Sequence, residues 1–279
     1  MELIRALGAL VEPPSPESRG IADALNLGSV PDEAAHSDLF LFQLYPYASV
    51  YLGKEGMLGG EARDRIAGFW RALELEPPAE PDHLTVLLSL YSRLKESEEA
   101  AQGEGRYAWR NARKAFLWEH LSSWLPVYLA KLGDVASGPY RRWARILREV
   151  LAAEAEALGP PDRLPLHLRE APPLADPREE GGEAFLRSLL APVRSGLILL
   201  RSDLQRAARE LDLGSRVGER LFVLKSLLGQ DASGLFHWLG QEAARAATTH
   251  AGSYPGGATV GEFWRGRAEA AGDLLRTLP

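Results

Sequence analysis

Apolar residues spaced for one face of a helix run through almost the whole chain, and that spacing restricts the fold more than any single motif. Leu84, Leu87, Leu88, Tyr91 and Leu94 fall at i, i+3, i+4, i+7 and i+10, and Leu117, Leu121, Trp124, Leu125, Tyr128 and Leu132 repeat the stripe. A half-buried strand would alternate instead. Further helices are predicted at 2–11, 16–25, 37–45, 60–74, 139–157, 183–193, 202–211, 217–228, 233–247 and 261–277, and no segment reads as a sheet. Pro126 lies inside the second stripe without a backbone donor, so a kink or restart is predicted near Ser122 to Leu125.

Helix punctuation agrees with an all-α class. Gly60 precedes an acidic first turn with Glu61 and Asp64, Ser202-Asp203 is placed to cap the run after it, and Gly159-Pro160-Pro161 stops the helix ending at Leu158. The stretch 159–182 holds six Pro and three Gly with little periodicity. It is expected to link a helical core of residues 1–158 to a C-terminal helical region, 183–279, packed on that core. There, the Ala191 to Gly196 turn and the aromatics Phe222, Phe236, Trp238 and Trp264 suggest a second helical layer. No repeat at the period of helical solenoids is present.

The 279 residues carry a net charge of -6, 46% hydrophobic and 25% charged residues, and no Cys. Thiol chemistry, disulfides and Cys-ligated metals are excluded. The acidic balance disfavours a nucleic-acid binder and favours a cationic partner. The N-terminal apolar stretch from Ala6 to Val11 is too short and too acidic for a secretory signal, and no run approaches the roughly 20 apolar residues that cross a bilayer. A cytoplasmic protein is expected. Phosphate-loop, dinucleotide, His-Glu-x-x-His and Gly-x-Ser-x-Gly signatures are absent, and the six His are too dispersed to pair along one helix as metal ligands. Arg141, Arg142, Arg145 and Arg148 form a basic strip with Tyr140 and Trp143 that is able to touch phosphates; the simpler reading is an exposed face balanced by Glu149, Glu154 and Glu156.

Three segments carry more information. In Leu39 to Gly60 an apolar helix breaks at Pro46, and Tyr47, Ser49 and Tyr51 follow before a Gly-rich turn. The hydroxyl-bearing aromatic surface suits an extended or helical peptide, or else Tyr47 and Tyr51 plug the end of the bundle. In Pro77 to Leu84, Pro81 biases Glu80 away from helix, and Asp82 is placed to cap the next helix, leaving His83 in its exposed first turn. The same residues also set an acid and an imidazole at a loop–helix junction, where they are suited to meet a cationic peptide. In Phe116 to Leu129, His120 shares the apolar face of Leu117, Leu121 and Trp124, so a buried His is the default.

In this order the segments resemble the TorD/DmsD family of cytoplasmic chaperones of molybdenum enzymes, relatives of the nitrate reductase delta-subunit chaperones. Glu80-Pro81-Asp82-His83 is similar to the family's Glu-Pro-x-Asp-His hinge without the intervening residue, and Pro46 to Tyr51 to its Pro-Tyr-Glu-Ser-x-Tyr segment. Phe116 to Trp124 resembles its Phe-x-x-x-His-Leu-x-x-Trp helix. The resemblance covers about residues 1–158, and Ala48 stands where the family commonly has an acid. It implies a TorD-like helical bundle and no enzyme activity or resident cofactor. It further implies a chaperone, monomer or homodimer, that binds the twin-arginine signal peptide or apo form of a molybdoenzyme before export. A delta-subunit-like assembly role on the mature client is the alternative. Glu80, Pro81, Asp82 and His83 would form the hinge, with Tyr47, Ser49 and Tyr51 along the neighbouring groove. His120 joins the implied client-binding set, and Trp70 and Trp124 are added as aromatic anchors for an apolar peptide. The competing class, an enzyme on a helical scaffold with His83 or His120 as base, has no phosphate loop to support it.

Overall fold

Several helices begin where a polar side chain interrupts an apolar stripe and caps the turn that follows, as Ser15, Asp32 and Asp231 do. The computed structural model describes residues 2–29, 32–254 and 257–279, and among them no strand occurs. The N-terminal part comprises α1 (Glu2–Ala9), α2 (Pro16–Ala24), α3 (Glu33–His36), α4 (Ala48–Leu52), α5 (Gly60–Ala72), α6 (Leu84–Ala100), α7 (Gly103–Phe116), α8 (Leu125–Val135) and α9 (Gly138–Leu158). After them come α10 (Leu166–Glu170), α11 (Gly182–Leu189), α12 (Pro192–Ser195), α13 (Arg201–Glu210), α14 (Arg220–Leu228), α15 (Ala232–Ala251) and α16 (Ala258–Arg276). Wide π-type turns occupy Ser37–Gln43 and Leu117–Leu121. The second leads into the break before α8, where Pro126 sits in the first turn and its missing N–H costs nothing. Helix α7 has no counterpart among the predicted elements, because its apolar positions are sparse and its first residues are Gly103, Glu104 and Gly105.

The main core gathers α1, α4 to α9 and their connections. Gly8 lets α1 approach α6, with Leu88 and Thr85 against it, and the Thr85 hydroxyl donates to the Gly8 carbonyl at 2.9 Å. Trp143 is fully buried and donates to Leu7 O at 2.8 Å. A buried ionic cluster crosses this core. Arg113 donates to Glu98 at 2.7 Å and also bonds Glu154, which accepts from Tyr91 and Lys95 as well. Glu154 therefore does not balance the basic strip of α9, because it lies on the helix's buried face.

The stretch 159–182, expected to link the two helical regions, is an ordered strap bonded to both. Trp118 donates to Gly159 O at 3.0 Å, Leu166 N–H to the Glu119 carboxylate at 2.7 Å, and Arg267 to Ala171 O at 2.6 Å. Leu168 and Ala175 are buried, so the prolines stiffen an ordered path rather than a tether. Beyond the strap, a second apolar cluster forms from Phe185, Leu189, Leu204, Leu224, Leu235, Trp238 and neighbours. Val193, Leu200, Val260 and Trp264 belong instead to the main core, where Trp264 donates to Ser123 O at 2.8 Å. Helices α15 and α16 pack antiparallel, with Gly272 against Ala243, and Gly261 lies against Tyr254 of the connection between them.

Candidate functional site

The first two segments are joined by their backbones. Ala48 N–H donates to Asp82 O at 3.0 Å and Leu84 N–H to Pro46 O at 2.8 Å, an isolated antiparallel bridge between Tyr47 and His83. Ala48 and Leu84 are the first residues of α4 and α6, so each loop supplies the carbonyl that the other's helix start lacks. The Asp82 carboxylate, itself buried, accepts from Ser49 N–H at 3.2 Å. It thus caps α4 across the bridge and not the α6 helix that follows it in sequence, which corrects the local capping prediction. The reason is that α6 already receives Pro46 O, and its N-cap residue His83 makes no side-chain cap bond.

The bridge arranges four side chains at its surface. The Tyr47 hydroxyl donates to Glu80 Oε2 at 2.8 Å, and its ring meets the His83 imidazole edge-on at 4.8 Å. His83 Nδ1 lies 3.5 Å from Glu12 Oε1, at the end of the turn after α1. Tyr47 and His83 are half-buried, whereas Glu12 and Glu80 are exposed. His83 is thus not in an exposed turn as expected. Burial, and then the bond to Glu80, push the Tyr47 phenol well above its ordinary range. Burial also lowers the His83 pKa, against the opposing pull of Glu12, Glu80 and Asp82. At neutral pH the notch is an uncharged imidazole and a phenol flanked by two solvent-facing carboxylates, a surface suited to a guanidinium or ammonium group.

The remaining predicted residues are placed elsewhere. Ser49 is fully buried, and its hydroxyl accepts from Gly59 N–H at 3.1 Å, which fixes the Gly-rich turn. Tyr51 is buried, stacks on Trp124 with centroids 5.1 Å apart and donates to Tyr45 O at 2.9 Å. Trp124 is fully buried and donates to His120 O at 2.9 Å. Ser49, Tyr51 and Trp124 therefore line no open groove; the Tyr51–Trp124 stack locks the first segment to the third. His120 is sealed among Phe69, Phe116 and His167, and burial lowers its pKa to about 3. Trp70 is half-buried with its indole N–H unpartnered among the described residues. Pro81 is buried beside Asp82 and shapes the loop without facing solvent.

Residues 27–130 match the family described as nitrate reductase delta subunit. The selenate reductase assembly chaperone protein of Thauera selenatis is 33% identical over 111 residues, 39% of this chain and 56% of that one. The chaperone protein TorD of Vibrio vulnificus, strains YJ016 and CMCP6, is 32% identical over 99 residues, 32% of this chain and 44% of the relative. Over this stretch the chain is similar to the nitrate reductase delta-subunit family and to proteins named as assembly chaperones. The match spans about half the length of these relatives. No solved structure matches. The family segment contains the bridge, the Tyr51–Trp124 stack and His120, and ends inside α8. Ala48, buried at the first position of α4, offers no acid to a partner, and Glu12, outside the matched segment, stands at the notch instead. Sequence reasoning missed Glu12, because no periodicity or spacing connects it with His83, 71 residues away.

Proposed function

We propose that this chain is an assembly chaperone for a molybdenum-containing redox enzyme, without catalytic activity of its own. In this reading the Tyr47, Glu80, His83 and Glu12 notch holds a cationic client segment, the twin-arginine signal peptide. The observation that carries it is the Tyr47–His83 bridge with Glu80 bonded to it, lying in residues 27–130 that match the delta-subunit family, with Glu12 reaching the same edge from outside that segment. A client arginine there exchanges water for carboxylate and phenol partners at an edge that is already ordered, so little conformational entropy opposes binding. Met57 and Leu58, exposed on the loop after α4, supply apolar surface for the peptide's hydrophobic part.

The test is isothermal titration with a synthetic twin-arginine peptide and a Lys-Lys control. Glu80→Gln and Glu12→Gln are each expected to weaken binding roughly threefold to tenfold, a charge-assisted contact at a partly exposed site, while thermal stability stays unchanged. Asp82→Ala is the wrong probe, because losing the α4 cap costs about 1 kcal/mol of stability before any contact is considered. Tight binding that ignores both glutamine variants would move the peptide away from the notch. No binding of either peptide would favour the mature client, the reading that the delta-subunit match supports; crosslinking to a client lacking its signal peptide distinguishes the two.

A further inference from the structure

No glutamate of α9 pairs with its basic strip: Glu154 is buried, and Glu149 and Glu156, though exposed, form no ion pair with a described residue. Tyr140 and Trp143 turn into the core, and Glu154 is held there by Arg113, Tyr91 and Lys95. Arg141, Arg145 and Arg148 are all exposed, and none forms an ion pair with a described residue. They sit at i, i+4 and i+7 and so form one row about 10 Å long, at 1.5 Å per residue. The row borders a groove of about 570 Å³ between α8, α9 and the end of α15, floored by Leu129, Ala130 and Ala144. Gly133 and Gly138 border it too, Gly138 at the start of a 21-residue helix with no side-chain cap. Asp134 is its one carboxylate.

We propose that this groove binds an acidic, amphipathic helix of a partner protein. Three of the four arginines that line it stand in a single row on one wall, the fourth, Arg142, is bonded to Asn26 O, and no lysine or arginine lines it from α8 or α15. A compact phosphate calls for donors that converge, whereas a helix carrying Glu at i, i+4 and i+7 presents charges at the same spacing as the row. The apolar floor of Leu129, Ala130 and Ala144 takes the partner's leucines, and the missing Cβ of Gly133 leaves space for them. A row of arginines is notable in a chain of net charge -6, since the rest of the surface repels the same partner and so directs it to this groove. The site is separate from the Tyr47 notch and stands whether or not a signal peptide binds there.

Fluorescence anisotropy of the full chain with a labelled 15-residue peptide, Glu at i, i+4, i+7 and Leu between, tests it. The expected result is saturable binding that vanishes for the Gln-for-Glu peptide and weakens at least about tenfold in Arg145→Glu/Arg148→Glu, as removal of two complementary charge pairs requires. Gly133→Leu fills the groove without touching a charge and, being a better helix former, keeps the fold; it is also expected to abolish binding. No binding of the acidic peptide, or binding indifferent to both variants, would overturn the proposal. Equal or tighter binding of a single-stranded oligonucleotide, or of phosphatidylserine vesicles, would overturn it in favour of a polyanion or membrane surface.

Discussion

His120 and His167 are buried 6.1 Å apart, ring centroid to ring centroid, and His120 Nδ1 and His167 Nε2 have no hydrogen-bond partner among the described residues. Burial holds both imidazoles neutral, with pKa values lowered to about 3 and about 4. Unfolded, each binds a proton near pH 6.5. The unfolded state therefore binds more protons between pH 6.5 and 4, so stability is full above that window and falls as pH drops through it, by up to about 1.4 kcal/mol per pH unit for each histidine. Urea midpoints from pH 7 to 4.5 should show the slope, and His120→Phe, which suits the pocket of Phe69 and Phe116, should roughly halve it while leaving stability at pH 7 nearly unchanged. An unaltered slope in that variant would place the proton uptake elsewhere. His120 also marks how far residue-level reading reaches. Its apolar helix face indicated burial, but nothing in the sequence indicated His167 as its neighbour, 47 positions away in a proline-rich stretch.

At the scale of elements, helices with strong stripes were legible, and those whose partners decide them were not. α6 and α9 follow their apolar spacing, and α8 restarts at Pro126 as a missing donor demands. The short α4 forms although five residues are too few to be stable alone, because the Asp82 carboxylate and backbone carbonyl satisfy its first N–H groups from 33 and 34 positions away. Local capping logic assigned that carboxylate to α6, since a sequence shows only neighbours along the chain. The α12 turn is another element defined by contact. Gly196 ends it in the left-handed region, φ 73°, and its missing Cβ leaves room for the backbone of Ala268 in α16. Its carbonyl meets the buried imidazole of His250, Nε2 2.9 Å away. Gly196→Ala is expected to cost more than about 2 kcal/mol, the sum of the left-handed penalty for a residue with a Cβ and the collision with α16. A thermal melt reads this directly, and a variant as stable as the parent would mean that α12 and α16 separate without cost.

For the whole molecule, the all-α class followed from periodicity alone, whereas the division at residues 159–182 rested on composition, which records prolines but not what they are bonded to. The apolar clusters do not divide there. Val193, Leu200, Val260 and Trp264 lie beyond the strap yet pack in the main core with α1 and α4 to α9. At about 1.5–3 kcal/mol for each large side chain withdrawn from water, these four contribute on the order of 6–12 kcal/mol. That is comparable to the entire stability of an ordinary domain, about 5–15 kcal/mol. Residues 1–158 alone would leave the Ser123 carbonyl without its Trp264 donor and open the pocket that Trp264 fills. The fragment is therefore expected to lack a cooperative urea transition, and the full chain to unfold in one calorimetric transition whose enthalpy equals its van't Hoff value. Two resolved transitions, or a fragment that melts cooperatively, would show that the family-matched bundle is autonomous and that the C-terminal helices only decorate it. A single transition would mean that a partner seated between α8, α9 and α15 acts on the stability of the whole chain, including the Tyr47 notch, because no boundary separates them.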